Sequence, residues 1–394
     1  AGNIRDPIVA AEYPDSNDLA EAENPCQAWN ALVAGAYTDK ITITHPDHQG
    51  WDAVAPAGAV SSASPASNVW DRQWPIRPDV VFEGGNFAHD GVNPAEAIDD
   101  LQLVTTHYRP NLRLFDSFGD TSAAAALASH FSAEIMAERP ELWPETVRGL
   151  VVHAAEWTPA MRTRFDAAGS QTQKAALLRR YGWGVPDLAR ALRSASNDAT
   201  LMIEDALLPF RREKSVVKTR DMHLHNLPWP RDELLSLGDQ DVELRVTLSY
   251  FVEPNPGERG WTRRHRYASH GLRFAVKRSL ESVQHFRQRI NRAAEAEEEG
   301  EIGAAAGGDD WVLGTIRDRG SIHSDVWRGS AAALAERDAI GVFPVSGWWK
   351  EKPSLQRWDR AARYALLVSV RAPEAEVDLY TASENRLVVP IPAA

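Results

Sequence analysis

The sequence predicts an α/β region over residues 1–198, followed over residues 199–394 by a β-rich, sandwich-like region that carries one helix near residues 280–299. Three observations support this. In the first half, short apolar segments bounded by Gly, Pro, Asn or Asp alternate with helical stretches. An alanine-rich run begins at Thr121. Near residue 200 the pattern changes to strict apolar/polar alternation, the period of a strand with one face in a core. In chain order, residues 30–37 (NALVAGAY) and 77–82 (RPDVVF) are strand candidates. The run TSAAAALASHFSAEIMAE has high helix propensity and no breaker before Pro140. A second helix is expected over residues 145–156, where Val147, Leu150, Val151 and Ala154 recur at helical spacing after a Pro-Glu start. A third, over residues 171–181, precedes the turn GWGVP. In the second half, Val242, Leu244, Val246, Leu248 and Tyr250 fall on one face of a strand, with further strands expected at 272–277, 311–316, 364–371 and 387–391. Residues 280–299 are rich in Arg, Glu and Ala and read as a solvated helix with an acidic tail.

The chain has 394 residues, a length that suits two domains with ample core. Its 43% hydrophobic and 25% charged residues are those of an ordinary globular protein. No stretch nears the roughly 18 uninterrupted apolar residues of a membrane span. A formal net charge of -12 opposes attraction to a phosphate backbone, so neither nucleic acid nor membrane is an expected partner. Cys26 is the only cysteine, which excludes an intrachain disulfide framework and favours a reducing, cytoplasmic setting. The opening Ala1-Gly2-Asn3 has no initiator Met or leader pattern and reads as the start of a fragment or a cleaved product.

The segment with most chemical content is FDSFGDTSAAAALAS, residues 115–129, where a Gly-containing turn delivers Ser122 to the start of the alanine-rich helix. The unpaired N–H groups and positive dipole end of a helix favour negative charge there, as an acyl-transfer oxyanion needs. A Thr or Ser in this position also serves as an ordinary N-cap, and the local pattern does not decide between the two. His45 and His48 in THPDH, and His223 and His225 in MHLH, have spacings that could hold a metal, but neither pair has a third ligand nearby in sequence, so no metal or other cofactor is assigned. P-loop, HExxH, GxSxG and dinucleotide fingerprints are lacking.

GDTSAAAALAS resembles the Gly-Thr-Ser-x-Ala-Ala-Pro segment around the nucleophile of the subtilisin-like serine peptidases, with Asp120 between Gly119 and Thr121 and Ala125 or Ala126 where the family has Pro. Three upstream segments follow the family order: Ala1-Gly2-Asn3 is similar to its Ala-Ala-Gly-Asn, WNALVAGA (residues 29–36) to its "VITVGA" strand, and IRPDVVFEGGN (residues 76–86) to its Lys-Pro-Asp-Val-x-Ala-Pro-Gly block. The resemblance covers about residues 1–190. It implies the C-terminal half of a parallel-sheet subtilase catalytic domain, with Ser122 as nucleophile, Asn3 in the oxyanion hole and Gly2 beside the primary specificity pocket. It also implies that the catalytic Asp and His lie upstream of Ala1, because the family order is Asp, His, Ser. His130 then reads as a packing or surface residue. Residues 200–394 contain GSIHSDVWRGSAA, FPVSGWWKE and ARYALLVSVRAP, which resemble the C-terminal domain of large bacterial subtilases found beside AAA-type ATPases. That likeness implies an ATPase partner and a setting in phage defence, while Trp348 and Trp349 read as core or as a recognition surface. The expected activity is endopeptidase hydrolysis of polypeptides through an acyl-enzyme, by a chain inactive alone; the alternative is a noncatalytic pseudo-peptidase that binds such an ATPase.

Overall fold

A computed structural model describes residues 1–6, 12–71, 74–192, 198–257, 266–299 and 311–372. The chain forms two compact units, one of residues 1–141 with 154–191 and the other of residues 142–153 with those from 192 onward. The first is built on a three-stranded sheet in the order Ala59–Val60, Ala34–Thr38, Val80–Glu83. The last two strands pair in parallel, from Ala34 opposite Val80 to Tyr37 opposite Glu83. The sequence places both where expected, although the first begins only at Ala34.

Helix Asp120–Glu138 packs against these two strands. Its buried residues Ala123, Ala124, Ala128, Phe131 and Ile135 follow helical spacing, and Phe131 meets Phe82 edge to face with centroids 5.7 Å apart. Helix Gln171–Tyr181 is capped by Ser170, whose hydroxyl accepts the Gln173 N–H, and stops at Gly182 with φ +56°. A Cβ at Gly182 would lie 2.2 Å from the Asp79 carbonyl oxygen, so only glycine lets the GWGVP turn lie along the neighbouring strand. There Trp183 N–H donates to Asp79 O and Val81 N–H to Gly184 O.

The second unit contains a four-stranded antiparallel sheet in the order Asp198–Leu207, Ala362–Arg371, Asp241–Tyr250, Ile322–Ser330. Val242, Leu244, Val246, Leu248 and Tyr250 are each no more than 1% exposed, as the alternation predicts. Of the intervening positions, Thr247 and Ser249 are polar yet buried, because helix Pro144–His153 covers them. Arg148 donates to the carbonyls of Tyr250 at 2.7 Å and Ser321 at 2.6 Å, while the His153 ring nitrogens lie 2.9 Å from Thr247 Oγ1 and Ser369 Oγ. Buried polar groups are tolerated there because they are paired. The expected helix over 145–156 thus ends at His153, and Ala155–Glu156 instead forms a short strand paired with Val185–Pro186.

A three-stranded antiparallel sheet, ordered His223–Asn226, Ala339–Val345, Gly271–Val276, completes the second unit's main strands. Helix Val283–Glu299 lies against it through Phe286, Ile290 and Ala293. This corrects the solvated reading: one face is core, and Glu297 in the acidic tail is buried and ion-paired with Arg273. The strand expected over 311–316 is also corrected. Trp311 makes a single bridge to Trp327, Gly314 takes φ +57°, and a 3₁₀ turn covers Gly314–Arg317. The Leu313 and Gly314 N–H groups donate to the buried Asp325 carboxylate at 2.9 Å, which removes them from any ladder. Trp348 and Trp349 are buried, and their indole N–H groups donate to Glu253. Residues 387–391 lie outside the described part. Among the described residues no helix is long and apolar enough to cross a membrane.

Candidate active site

Strand Phe115–Phe118 runs into Gly119, whose extended backbone leads to Asp120 at φ +62°. That left-handed conformation suits glycine; Asp is among the few other residues that adopt it, at a cost. The Asp120 N–H donates to Gly84 O at 2.6 Å. The approach is tight, since a Cβ on Gly84 would stand 2.4 Å from Ala36 Cβ and 2.8 Å from Asp120 O. Gly84, directly after the Val80–Glu83 strand, therefore seats the turn that starts the helix. Burial pushes the Asp120 carboxyl up from its ordinary range, with the Arg5 charge opposing.

The 1–3 segment meets this turn from 118 residues away in sequence. Asn3 Oδ1 accepts the Thr121 N–H at 3.0 Å, and the Thr121 hydroxyl lies 2.7 Å from Asn3 Oδ1 and 2.8 Å from Gly2 O. An amide N–H can only donate, so the Asn3 atom facing it is the oxygen, and Nδ2 is the atom left to donate elsewhere. Among the described residues Nδ2 makes no hydrogen bond. Gly2 has φ +95°, and a Cβ there would lie 2.7 Å from Glu23 Cγ.

Ser122 stands in the first turn of the helix with its side chain exposed. The Ala123 N–H bonds back to Gly119 O, whereas the Ser122 N–H and hydroxyl make no hydrogen bond among the described residues. One face of this helix is open to solvent, where Ala125, Ala126, Ser129 and His130 are exposed. His130 pairs with Glu134 at 3.6 Å on the surface. His107, whose Nε2 is 3.8 Å from Asp116, makes no hydrogen bond to the serine either. The Ser122 hydroxyl and N–H and the Asn3 amide, without hydrogen-bond partners for Ser122 and Nδ2 among the described residues, thus gather at one helix N-terminus, the kind of place where developing negative charge is stabilised.

Residues 1–184 match the model of the subtilase family, peptidase S8. These residues are subtilase-like. The chain is also 28% identical over 290 residues to the uncharacterized protein y4bN of Sinorhizobium fredii (strain NBRC 101917 / NGR234), covering 71% of this chain and 62% of that protein. It therefore spans less than two thirds of this curated relative's length.

Sequence reasoning singled out Ser122, Asn3 and Gly2 but gave no role to Thr121, whose backbone and hydroxyl join the 1–3 segment to the helix. The Thr-Ser pair held the signal. Of the histidine pairs, His45 and His48 have ring centroids 5.6 Å apart, and no third ligand joins them among the described residues. His223 and His225 do gain one, Asp205, which is distant in sequence.

Proposed function

We propose that this chain carries the nucleophile part of a subtilase endopeptidase. Ser122 Oγ attacks the carbonyl carbon of a substrate peptide while a histidine removes its proton. The tetrahedral oxyanion receives the Asn3 Nδ2–H and the Ser122 N–H. Collapse breaks the C–N bond, the histidine returns the proton to the leaving amine, and water then hydrolyses the acyl-Ser122 ester. Gly2 lines the primary specificity pocket. By the family order Asp, His, Ser, the base and its orienting carboxylate belong to polypeptide upstream of Asn3. The observation that carries this reading is the Asn3 Oδ1 bond to Thr121 N–H, which turns Nδ2 away as a spare donor at the serine's helix end.

The test uses a fluorophosphonate probe and a broad-specificity peptide substrate, with this chain alone and with the remaining polypeptide of its parent protein. Labelling and hydrolysis are expected only in the second case and are abolished by Ser122→Ala. Asn3→Ala should lower kcat by about 10²–10³, the magnitude known for the corresponding donor in subtilisin. Rapid labelling of Ser122 in the isolated chain would overturn the assignment of the base, and a Ser122→Ala protein that retained activity would overturn the nucleophile.

A further inference from the structure

Outside the subtilase segment, four polar side chains of the second unit converge between its two main sheets. Strand Asp198–Leu207 places Asp205 directly opposite Tyr364 in the four-stranded sheet. From the three-stranded sheet, His223 and His225 occupy positions i and i+2 of strand His223–Asn226, which the period of a strand puts on one face. Asp205 Oδ2 lies 3.0 Å from His223 Nδ1. The Tyr364 hydroxyl oxygen is 2.7 Å from both His223 Nδ1 and His225 Nε2. One ligand atom from each of Asp205, His223 and His225 falls within 4.8 Å of the others. All three side chains are half-buried, so an ion has a way in, while the Tyr364 ring is fully buried and fixes its hydroxyl among them.

We infer that Asp205, His223 and His225 form a binding site for a divalent transition-metal ion of the zinc class, which clips the two sheets together. Two imidazole nitrogens with one carboxylate oxygen are a three-ligand set that suits Zn²⁺; hard cations such as Mg²⁺ and Ca²⁺ prefer all-oxygen sites. Binding requires both ligating nitrogens to be free of protons, so the ion displaces the hydrogen bonds now shared among Asp205, His223 and Tyr364, and any bound proton leaves to solvent. The Tyr364 hydroxyl becomes the adjacent oxygen of the site. Each sheet supplies part of the ligand set, so an ion here holds the folded arrangement and binds the unfolded chain less well.

The test uses the untagged 394-residue chain, stripped with chelator and titrated with Zn²⁺ by calorimetry and with Co²⁺ by visible absorption. One tight equivalent is expected, with a Co²⁺ spectrum of nitrogen and oxygen ligation and a rise in Tm. Asp205→Asn, nearly identical in shape, and His225→Ala should each weaken Zn²⁺ binding by at least about tenfold and remove the Tm rise. Tyr364→Phe should retain the equivalent, because the three ligands remain. Circular dichroism of each variant separates lost folding from lost ligation. Absence of a stoichiometric equivalent in the wild-type chain would overturn the site. So would an equivalent unaffected by both ligand substitutions, or a drop in Tm on substitution without any metal dependence, which would mark the cluster as a hydrogen-bonded pin only.

Discussion

At Asp120 the backbone takes φ +62°, a conformation that suits glycine and strains an L side chain. The surroundings hold it there, since its N–H is bound to Gly84 O and its carboxyl is half-buried near Arg5. Asp120→Gly removes the steric cost but makes the unfolded chain more flexible, so a net gain of about 0.5–1 kcal/mol is expected in urea unfolding followed in the first unit. A loss of stability would mean that the Asp120 carboxyl contributes more than its backbone costs. Gly84→Ala acts in the opposite direction. Its Cβ would overlap Ala36 and Asp120, costing about 1–3 kcal/mol and displacing the turn beneath Ser122. Unfolding midpoints measure the cost, and on the proposed function probe labelling of Ser122 should fall with it.

At the scale of the element, helix Asp120–Glu138 combines a packed face with a mixed face open to solvent. Phe131, 6% exposed, fills the space over Phe82, and Phe131→Ala should destabilise the first unit by about 3–5 kcal/mol. Met136, 57% exposed, should tolerate Gln within about 0.5 kcal/mol. Equal costs at the two positions would contradict this packing. The sequence made this helix legible because an alanine run has one outcome locally, but alanine on every side hides which face is buried. Strand Asp241–Tyr250 shows the converse. Its apolar face was legible from period 2, whereas the cover over Thr247 and Ser249 comes from His153 and Arg148, about a hundred residues away. No local rule carries that information.

For the molecule as a whole, acid stability depends on histidines that burial keeps neutral. His270 is 2% exposed, stacks on Trp349 with centroids 4.8 Å apart, and has its pKa pushed down to about 3 by desolvation. Between that value and the ordinary histidine range, the unfolded chain binds a proton that the folded one refuses. Stability is therefore lost as pH falls below about 6.5, with a slope of up to about 1.4 kcal/mol per pH unit for this one group. Burial of Glu297 and Asp325 pushes their carboxyls up, an effect of opposite sign at lower pH, so the comparison must be made against His270→Gln. Trp fluorescence during urea unfolding at pH 7.5, 6.5 and 5.5 should show a smaller loss of midpoint in that variant than in the wild type. An identical loss would show that His270 is protonated in the folded state.

By itself the sequence determined what short-range forces decide. That covers the alanine helix that begins beside Ser122, the alternating strand from Val242 and the helix ending at Tyr181 before its glycine turn. Tertiary structure decided everything that depends on two distant segments meeting. It placed Thr121 against Asn3 across 118 residues, drew the acidic helix tail inward through Arg273 and Glu297, turned residues 311–316 away from a strand onto Asp325, and brought Asp205 to His223 and His225. The physical reason is that propensity and periodicity act within a turn or two of chain, whereas burial and ion pairing depend on which surfaces the whole fold brings together.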